Sequence, residues 1–231
     1  MKVLIVQHVE CEGPGYLEDF IHKKGIEYEI ARMYEEEQLP DNFDALVVLG
    51  GPMNVYEEER YPYLKPLTTT MKDFVTEGGH YLGICLGGQL LAKALGAKVR
   101  RNHTKVIGNF EIHLTEKGVE DPLFNGFEHI FPALEWHEDT FEIPEGGLKL
   151  AESKLCANQA FRFKNAYGLQ FHLETPPGML KKWTEVYEGE LNEEGVNAPV
   201  LIEETKKRAG IYRELSSRLL TNFFFLANEE V

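Results

Sequence analysis

Short runs of apolar, largely β-branched residues recur in the first 85 residues, and polar segments separate them. These runs predict buried or half-buried strands at residues 2–9, 27–33, 45–49 and 81–85. Apolar residues at helical spacing predict helices at 16–24 and 64–77, each followed by glycine. The acidic run at 35–37 is interpreted as a solvated loop. This order of elements predicts a parallel sheet with right-handed crossovers.

After residue 96 the apolar runs become shorter and are linked by turns. The predicted strands cover residues 98–101, 106–114, 133–137, 148–152, 159–163 and 167–172. The last two flank Lys164-Asn165 as a hairpin, so part of the sheet is expected to be antiparallel.

Two helices are predicted to close the chain. One starts at Pro176-Pro177, with Thr175 as a potential N-cap. The other covers about 200–227, and its apolar stripe is interpreted as core rather than as a partner surface. The stripe comprises Tyr212, Leu215, Leu219 and Phe223.

Cys85 lies where an apolar strand stops and a helix begins at once. A side chain at such a sharp bend projects out of the sheet, and the crowded backbone needs small neighbours, here Gly83 and Gly87. The helix start directs free amides and the positive end of its dipole at the sulfur, which favours the thiolate. Cys85 is therefore a candidate nucleophile, and a buried core cysteine is the alternative.

A cysteine nucleophile needs a base and a carboxylate that orients the base. The predicted strand at 167–172 continues into His172 and Glu174, and residues two apart on a strand point to the same side. Taken alone, each has a plain structural interpretation, as a core histidine or a surface carboxylate.

The Gly50-Gly51-Pro52 loop follows the strand at 45–49. Ligands of parallel sheets bind at the carboxyl ends of the strands. This loop and Cys85 are therefore expected to be neighbours.

Composition narrows the class of protein. The chain has 231 residues, of which 43% are hydrophobic and 27% charged, which is typical of a globular domain. A formal net charge of −14 argues against nucleic acid as a partner. No apolar run predicts a signal peptide or a membrane span.

The cysteines exclude further classes of protein. Three widely spaced cysteines without a C-x-x-C pair indicate neither a disulfide framework nor a zinc site. No metal or cofactor is expected, and a reducing cytoplasm is the expected compartment.

Four segments resemble class I (triad-type) glutamine amidotransferases, and especially the glutaminase domain of GMP synthase. They are LGGPMNVYEEERYP at 49–62, GICLGGQLLA at 83–92, WHEDTFEIP at 136–144 and GLQFHLE at 168–174. The chain departs from many members at Gly88, where they have His or Tyr, and at Leu173, where they have Pro.

The resemblance implies a three-layer, flavodoxin-like α/β fold whose sheet is mostly parallel with an antiparallel portion. It also implies a single domain over residues 1–231, with a helical C-terminal extension at about 175–231.

The resemblance further implies hydrolysis of the side-chain amide of glutamine. Cys85 would form a glutamyl thioester, with His172 as base and Glu174 as its orienting group. The backbone amides of Gly51 and Leu86 would bind the oxyanion. The expected substrate contacts are Gly50, Gln89, Gly108, Asn109 and His137.

Three functions stay open at this point. The first is a glutaminase that delivers ammonia to a separate synthase, and the second is a γ-glutamyl peptidase or hydrolase acting on other γ-glutamyl amides. The third is a regulatory module without significant turnover. A second copy of the chain is an alternative partner, whereas membranes and nucleic acids are not expected as partners.

Overall fold

Nine strands form one mixed sheet within the residues that the computed structural model describes, which are 1–35, 39–40 and 42–229. The strands are β1 (Lys2–Gln7), β2 (Glu27–Arg32), β3 (Ala45–Val48), β4 (His80–Ile84), β5 (Val99–Leu114), β6 (Ile130–Phe141), β7 (Leu148–Glu152), β8 (Ala160–Phe163) and β9 (Ala166–Leu169). Their order across the sheet is β2-β1-β3-β4-β9-β8-β7-β5-β6. The loop predicted at 35–37 lies mostly outside the described residues.

Seven α-helices accompany the sheet in the described part of the chain. They are α1 (Tyr16–Lys24), α2 (Leu64–Thr76), α3 (Leu86–Ala94), α4 (Glu116–Glu120), α5 (Pro177–Val186), α6 (Glu188–Glu193) and α7 (Ala198–Glu229). Two 3-10 turns cover Met33–Glu35 and Pro122–Phe124. None of the helices, as far as they are described, is long and apolar enough to cross a membrane.

The strands β2, β1, β3, β4 and β9 are parallel to one another. Both faces of this parallel half are buried: in β1, Val3 and Ile5 belong to one apolar cluster and Leu4 and Val6 to another. Residues of α1, α5 and α7 complete the first cluster, and residues of α2 and α3 complete the second. The result is the three-layer α/β architecture that the sequence predicted.

The antiparallel half differs in its boundaries from the prediction. The runs at 98–101 and 106–114 form one strand, β5, whose register with β6 shifts between Arg101 and Val106. The shift allows one long strand to pair with β6 on both sides of an irregular segment, which the sequence shows only as an interruption. β6 is correspondingly longer than predicted.

Backbone pairing joins β6 to the segment after β9. His172 donates its amide to the carbonyl of Leu134 at 2.8 Å, and Leu134 donates to the carbonyl of His172 at 3.2 Å. The strand predicted at 167–172 ends at Leu169 in the structure. Beyond this point, the isolated bridge to Leu134 holds the backbone of His172.

The C-terminal helices pack on the first apolar cluster. In α7, Tyr212, Leu219 and Phe223 are buried and Leu215 is partly buried, so the predicted stripe is core. The N-cap position of α5 is Pro176 rather than Thr175. The Thr175 hydroxyl instead donates to Glu174, because the chain turns into α5 one residue later than predicted.

Candidate active site

Cys85 lies at the bend between β4 and α3. Its backbone has a φ of +51°, in the left-handed region that a non-glycine residue rarely adopts. A Cβ atom on Gly87 would lie 2.1 Å from the carbonyl oxygen of Val48, and one on Gly83 would lie 2.4 Å from the carbonyl carbon of Gly87. The strained turn therefore depends on both glycines, as the sequence predicted.

The departure from the family pattern at Gly88 has a physical reason in this chain. A Cβ atom at this position would lie 2.7 Å from the carbonyl oxygen of Leu169, so α3 packs too closely on β9 for a larger side chain. The other departure, Leu173, lies in the first apolar cluster.

The sulfur of Cys85 is buried but borders an open cavity. Its Sγ lies 3.7 Å from the carbonyl oxygen of Trp136, and the Gln170 side-chain amide donates to it at 3.5 Å. The residue is 7% exposed, so a substrate must enter the cavity to reach the sulfur.

His172 and Glu174 meet although they do not lie on a continuous strand. His172 Nδ1 lies 2.6 Å from Glu174 Oε1, and the Thr175 hydroxyl donates to the same oxygen at 3.1 Å. Burial opposes the charged imidazolium, but Glu174 and Cys85 outweigh it and raise the pKa of His172 well above its usual value. Because Nδ1 is bonded to Glu174, Nε2 is the ring nitrogen that remains for another partner.

The loop after β3 lies beside these groups. A Cβ atom on Gly50 would lie 3.1 Å from His172 Cε1 and 3.6 Å from Cys85 Cβ, so only glycine leaves this space open. Gly51 lines the cavity. Leu86 is the first residue of α3, and an amide at this position has no acceptor inside its own helix.

Gln89 reaches the cavity from the first turn of α3. Its Nε2 donates to the carbonyl of Asp139 at 3.2 Å and to Gln170 Oε1 at 3.2 Å. Both amide hydrogens are thus used inside the protein, and Oε1 remains as the acceptor for a ligand.

His137 also lines the cavity, and hydrogen-bond partners in the same strand fix its ring. Its Nε2 lies 2.9 Å from Glu135 Oε2 and its Nδ1 lies 2.9 Å from the carbonyl of Asp139. Since both ring nitrogens have protein acceptors, the geometry favours His137 as a wall residue over His137 as a second base.

The structure does not bring Gly108 and Asn109 to this cavity. Both lie in β5, opposite Glu135 and Leu134 of β6, and neither is among the lining residues. The side-chain oxygen of Asn109 accepts hydrogen bonds from Thr205 and Tyr212. Asn109 therefore anchors α7, and sequence position alone did not reveal that its side chain turns away.

The cavity has a volume of about 330 Å³, and several lining residues were not singled out from the sequence. They are Glu12, Asn54, Glu57, Arg101, Trp136, Glu138, Asp139, Trp183, Tyr187 and Glu190. Trp183 and Tyr187 follow the predicted helix start at Pro176-Pro177, and neither was predicted to lie at the site. The position of these two residues soon after the His172 segment is the sequence signal that could have indicated a place in the cavity wall.

The other two cysteines have different neighbours from those of Cys85. Cys156 is buried against the Thr140 hydroxyl, at 3.2 Å, and Cys11 lies 3.5 Å from the Tyr187 hydroxyl. Among the described residues, no three His, Cys, Asp or Glu side chains are arranged to hold a metal ion.

A family model described as glutamine amidotransferase class-I matches residues 16–183. The chain belongs to this family. The glutamine amidotransferase-like protein YfeJ of Salmonella typhimurium is 35% identical over 181 residues, which is 75% of this chain and 76% of YfeJ. A subunit of the glutamine-hydrolysing GMP synthase of Archaeoglobus fulgidus is 35% identical over 141 residues, 60% of this chain and 69% of that protein.

Solved structures of class-I glutamine amidotransferases confirm the fold. The crystal structure of a Thermotoga maritima glutamine amidotransferase has a TM-score of 0.90 at 32% identity, and covers 96% of this chain and 97% of that one. The Methylobacillus flagellatus enzyme has a TM-score of 0.88 at 26% identity, and covers 96% and 94%. The likeness therefore extends over α5, α6 and α7 as well as the sheet.

Proposed function

We propose that this chain hydrolyses the side-chain amide of glutamine through a thioester on Cys85 and releases ammonia for a separate synthase. The observation that carries the proposal is that Cys85 and His172 line one cavity, with Nδ1 of His172 bonded to Glu174. Membership of the family supports amide hydrolysis in general.

The first half of the reaction transfers the glutamyl group to sulfur. His172 Nε2 takes the thiol proton, and the thiolate of Cys85 attacks the amide carbon to form a tetrahedral oxyanion. When this intermediate collapses, the C–N bond breaks and His172 delivers its proton to the departing nitrogen. The products are ammonia and a glutamyl thioester.

The second half restores the enzyme. His172 removes a proton from water, the hydroxide adds to the thioester carbon, and the C–S bond breaks as glutamate leaves. Glu174 holds His172 in the required tautomer throughout. The backbone amides of Gly51 and Leu86 stabilise both oxyanions, and one such donor contributes on the order of 3 kcal/mol in comparable sites.

The names of the relatives support a partner for the released ammonia. The relatives from Archaeoglobus fulgidus and Methanococcus vannielii are each one subunit of a glutamine-hydrolysing GMP synthase. We therefore expect weak ammonia release from the isolated chain and faster release when the matching synthase is present.

The test is ammonia release from glutamine, together with intact-protein mass spectrometry after treatment with a diazoketone analogue of glutamine. We expect one covalent adduct on Cys85, and His172→Ala should reduce kcat by on the order of a million-fold, as for other coupled nucleophile–base pairs. Cys156→Ser is the matched control and should retain both activity and labelling.

Two outcomes would overturn the proposal. One is full turnover by His172→Ala. The other is an adduct on Cys11 or Cys156 in place of Cys85. Turnover of other γ-glutamyl amides but not of glutamine would favour the second candidate, a γ-glutamyl hydrolase, which uses the same thioester chemistry.

A further inference from the structure

Glu12 is a buried carboxylate in the wall of the active-site cavity. It lies in the loop after β1 and is only 7% exposed. Its Oε1 accepts a hydrogen bond from the Tyr187 hydroxyl at 2.6 Å. Its other carboxylate oxygen, Oε2, lies 3.0 Å from the point where a Cβ atom of Gly50 would stand.

The other acidic residues of the cavity are already compensated. Glu57, Glu138 and Glu190 form ion pairs with Arg60, Arg101 and Lys105, respectively. Asp139 accepts the side-chain amide of Asn54 at 2.5 Å. Glu12 therefore differs from these three glutamates, because its hydrogen-bond partner is a neutral hydroxyl.

Glu12 lies on the His172 side of the cavity. Its Oε2 and His172 Cε1 are each about 3 Å from the point where a Cβ atom of Gly50 would stand, at 3.0 and 3.1 Å. In the proposed reaction His172 protonates the departing nitrogen, so the leaving group must face this side. Gln89, the expected glutamyl contact, donates its side-chain amide to the backbone carbonyl of Asp139, and both residues line the same cavity.

Three aromatic side chains, Trp136, Trp183 and Tyr187, line the same cavity as Glu12. Trp183 packs edge-on against His172, with ring centroids 5.1 Å apart. Trp136 lies 6.0 Å from Trp183 and 5.9 Å from Tyr187. A cavity wall that combines a carboxylate with aromatic rings suits an organic ammonium group, because the rings and the carboxylate both attract positive charge.

We propose that Glu12, Tyr187, Trp136 and Trp183 form a subsite for a protonated amine carried by the leaving group, so that the site accepts γ-glutamyl amides of diamines in addition to glutamine. This inference rests on the proposed amide hydrolysis and extends its substrate class. Glu12 and Tyr187 both lie outside the matched family segment 16–183. The subsite is therefore built partly by segments at either end of that match.

The chemistry of the reaction is unchanged by this subsite. The amide C–N bond breaks, His172 protonates the departing nitrogen, and water later hydrolyses the thioester. The distal ammonium group keeps its proton and only binds. Glu12 therefore acts on substrate selection and not on the bond-breaking step.

The first experiment compares three substrates: glutamine, the γ-glutamyl amide of 1,4-diaminobutane, and γ-glutamyl pentylamide, in which a methyl group replaces the ammonium. We expect kcat/KM for the diamine amide to exceed that for the pentylamide by about tenfold or more, the contribution of one charge-assisted hydrogen bond. In Glu12→Gln this ratio should fall to about one, because the neutral amide keeps the shape but loses the charge.

Glu138→Gln is the matched control, since Glu138 lines the same cavity but is paired with Arg101. Its ratio should stay near the wild-type value. An equal fall in both variants would show that the general negative field selects the substrate, and it would overturn the assignment to Glu12. A uniform loss on all three substrates in Glu12→Gln would place Glu12 at the glutamyl ammonium and would also overturn it.

A binding experiment separates this inference from the proposed function. In Cys85→Ala protein, calorimetry should show tighter binding of the diamine amide than of the pentylamide, and Glu12→Gln in the same background should abolish the difference. Equal binding of both amides would refute the subsite. Absence of turnover on every amide, with preferential binding retained, would refute the hydrolysis but not the subsite.

Discussion

The parallel and antiparallel halves of the sheet contribute different kinds of groups to one cavity. The ends of β3, β4 and β9 supply the proposed backbone amides, nucleophile and base, beside glycines where a single added carbon atom would collide with the chain. The antiparallel half and the helices after it supply side chains, including Trp136 and Tyr187. Under the proposed mechanism, the reaction chemistry depends on tight backbone geometry, whereas selection of the leaving group depends on side chains of the cavity wall.

After loss of the base itself, the largest effect is expected at Glu174, in the reacting part of the site. Glu174→Gln keeps the shape but no longer stabilises the imidazolium of His172, and kcat should fall on the order of 10,000-fold, less than for loss of the base itself. Steady-state ammonia release measures this change. A Glu174→Gln protein within tenfold of wild type would show that Glu174 does not orient the base.

The next effect tests the backbone of the parallel half. Gly87→Ala places a methyl group against the Val48 carbonyl and should reduce the free energy of unfolding by about 3 kcal/mol or more. Gly189→Ala in α6, where nothing lies within 4 Å, should instead stabilise the protein by up to about 1 kcal/mol. Urea unfolding measures both, and equal effects would remove the contrast between the two regions.

A smaller effect concerns the charge of Glu12. Burial raises its pKa from 4.5 to about 6, against the lowering influences of Tyr187 and His172, while Glu174 and Glu190 raise it further. A carboxyl group whose folded pKa is raised contributes stability below pH 4.5 that is lost as the pH rises through about 6. The loss is about 2 kcal/mol for a shift of this size.

Glu12→Gln should therefore raise the Tm at pH 8, and the gain should vanish near pH 4.5. Thermal unfolding from pH 4.5 to 8 tests this expectation. The exposed Glu185→Gln in α5 is the control and should show no such trend. A Glu12→Gln protein that is less stable than wild type at pH 8 would show that Glu12 is stabilised by its surroundings as an anion.

The smallest effect is expected at Thr175. Thr175→Val removes the hydroxyl that donates to Glu174 Oε1 and should lower kcat by less than tenfold, about 1 kcal/mol of barrier. Thr184→Val, which removes a bond inside α5 to the Lys181 carbonyl, is the control and should not change kcat. A loss as large as that of Glu174→Gln would mean that Thr175 sets the position of the whole pair.

Some predictions from sequence were confirmed because their signals are local. The bounds of α1 were found from apolar spacing and a following glycine, and Gly25 does end that helix in the left-handed conformation. The strained turn at Cys85 was predicted from the glycines around it, and the contacts of Gly83 and Gly87 show why they are needed.

Other predictions were wrong because their outcome depends on distant partners. The strand expected at 167–172 ends at Leu169, since β6 pairs with His172 from 38 residues earlier in the chain. The backbone near Gly108 and Asn109 was expected to contact the substrate, but neither residue lines the cavity, and the Asn109 side chain is bonded to α7. Neither partner can be recognised from the residues next to these positions.

The sequence by itself determined the parallel α/β layout, the bend at Cys85 and the pairing of His172 with Glu174, because each depends on residues a few positions apart. Only the tertiary structure decided which side chains surround Cys85, His172 and Glu174. The loop after β1, the strand β6 and the helices α5 and α6 are far apart in the chain. Their long-range packing places Glu12, Trp136, Trp183 and Tyr187 in one wall.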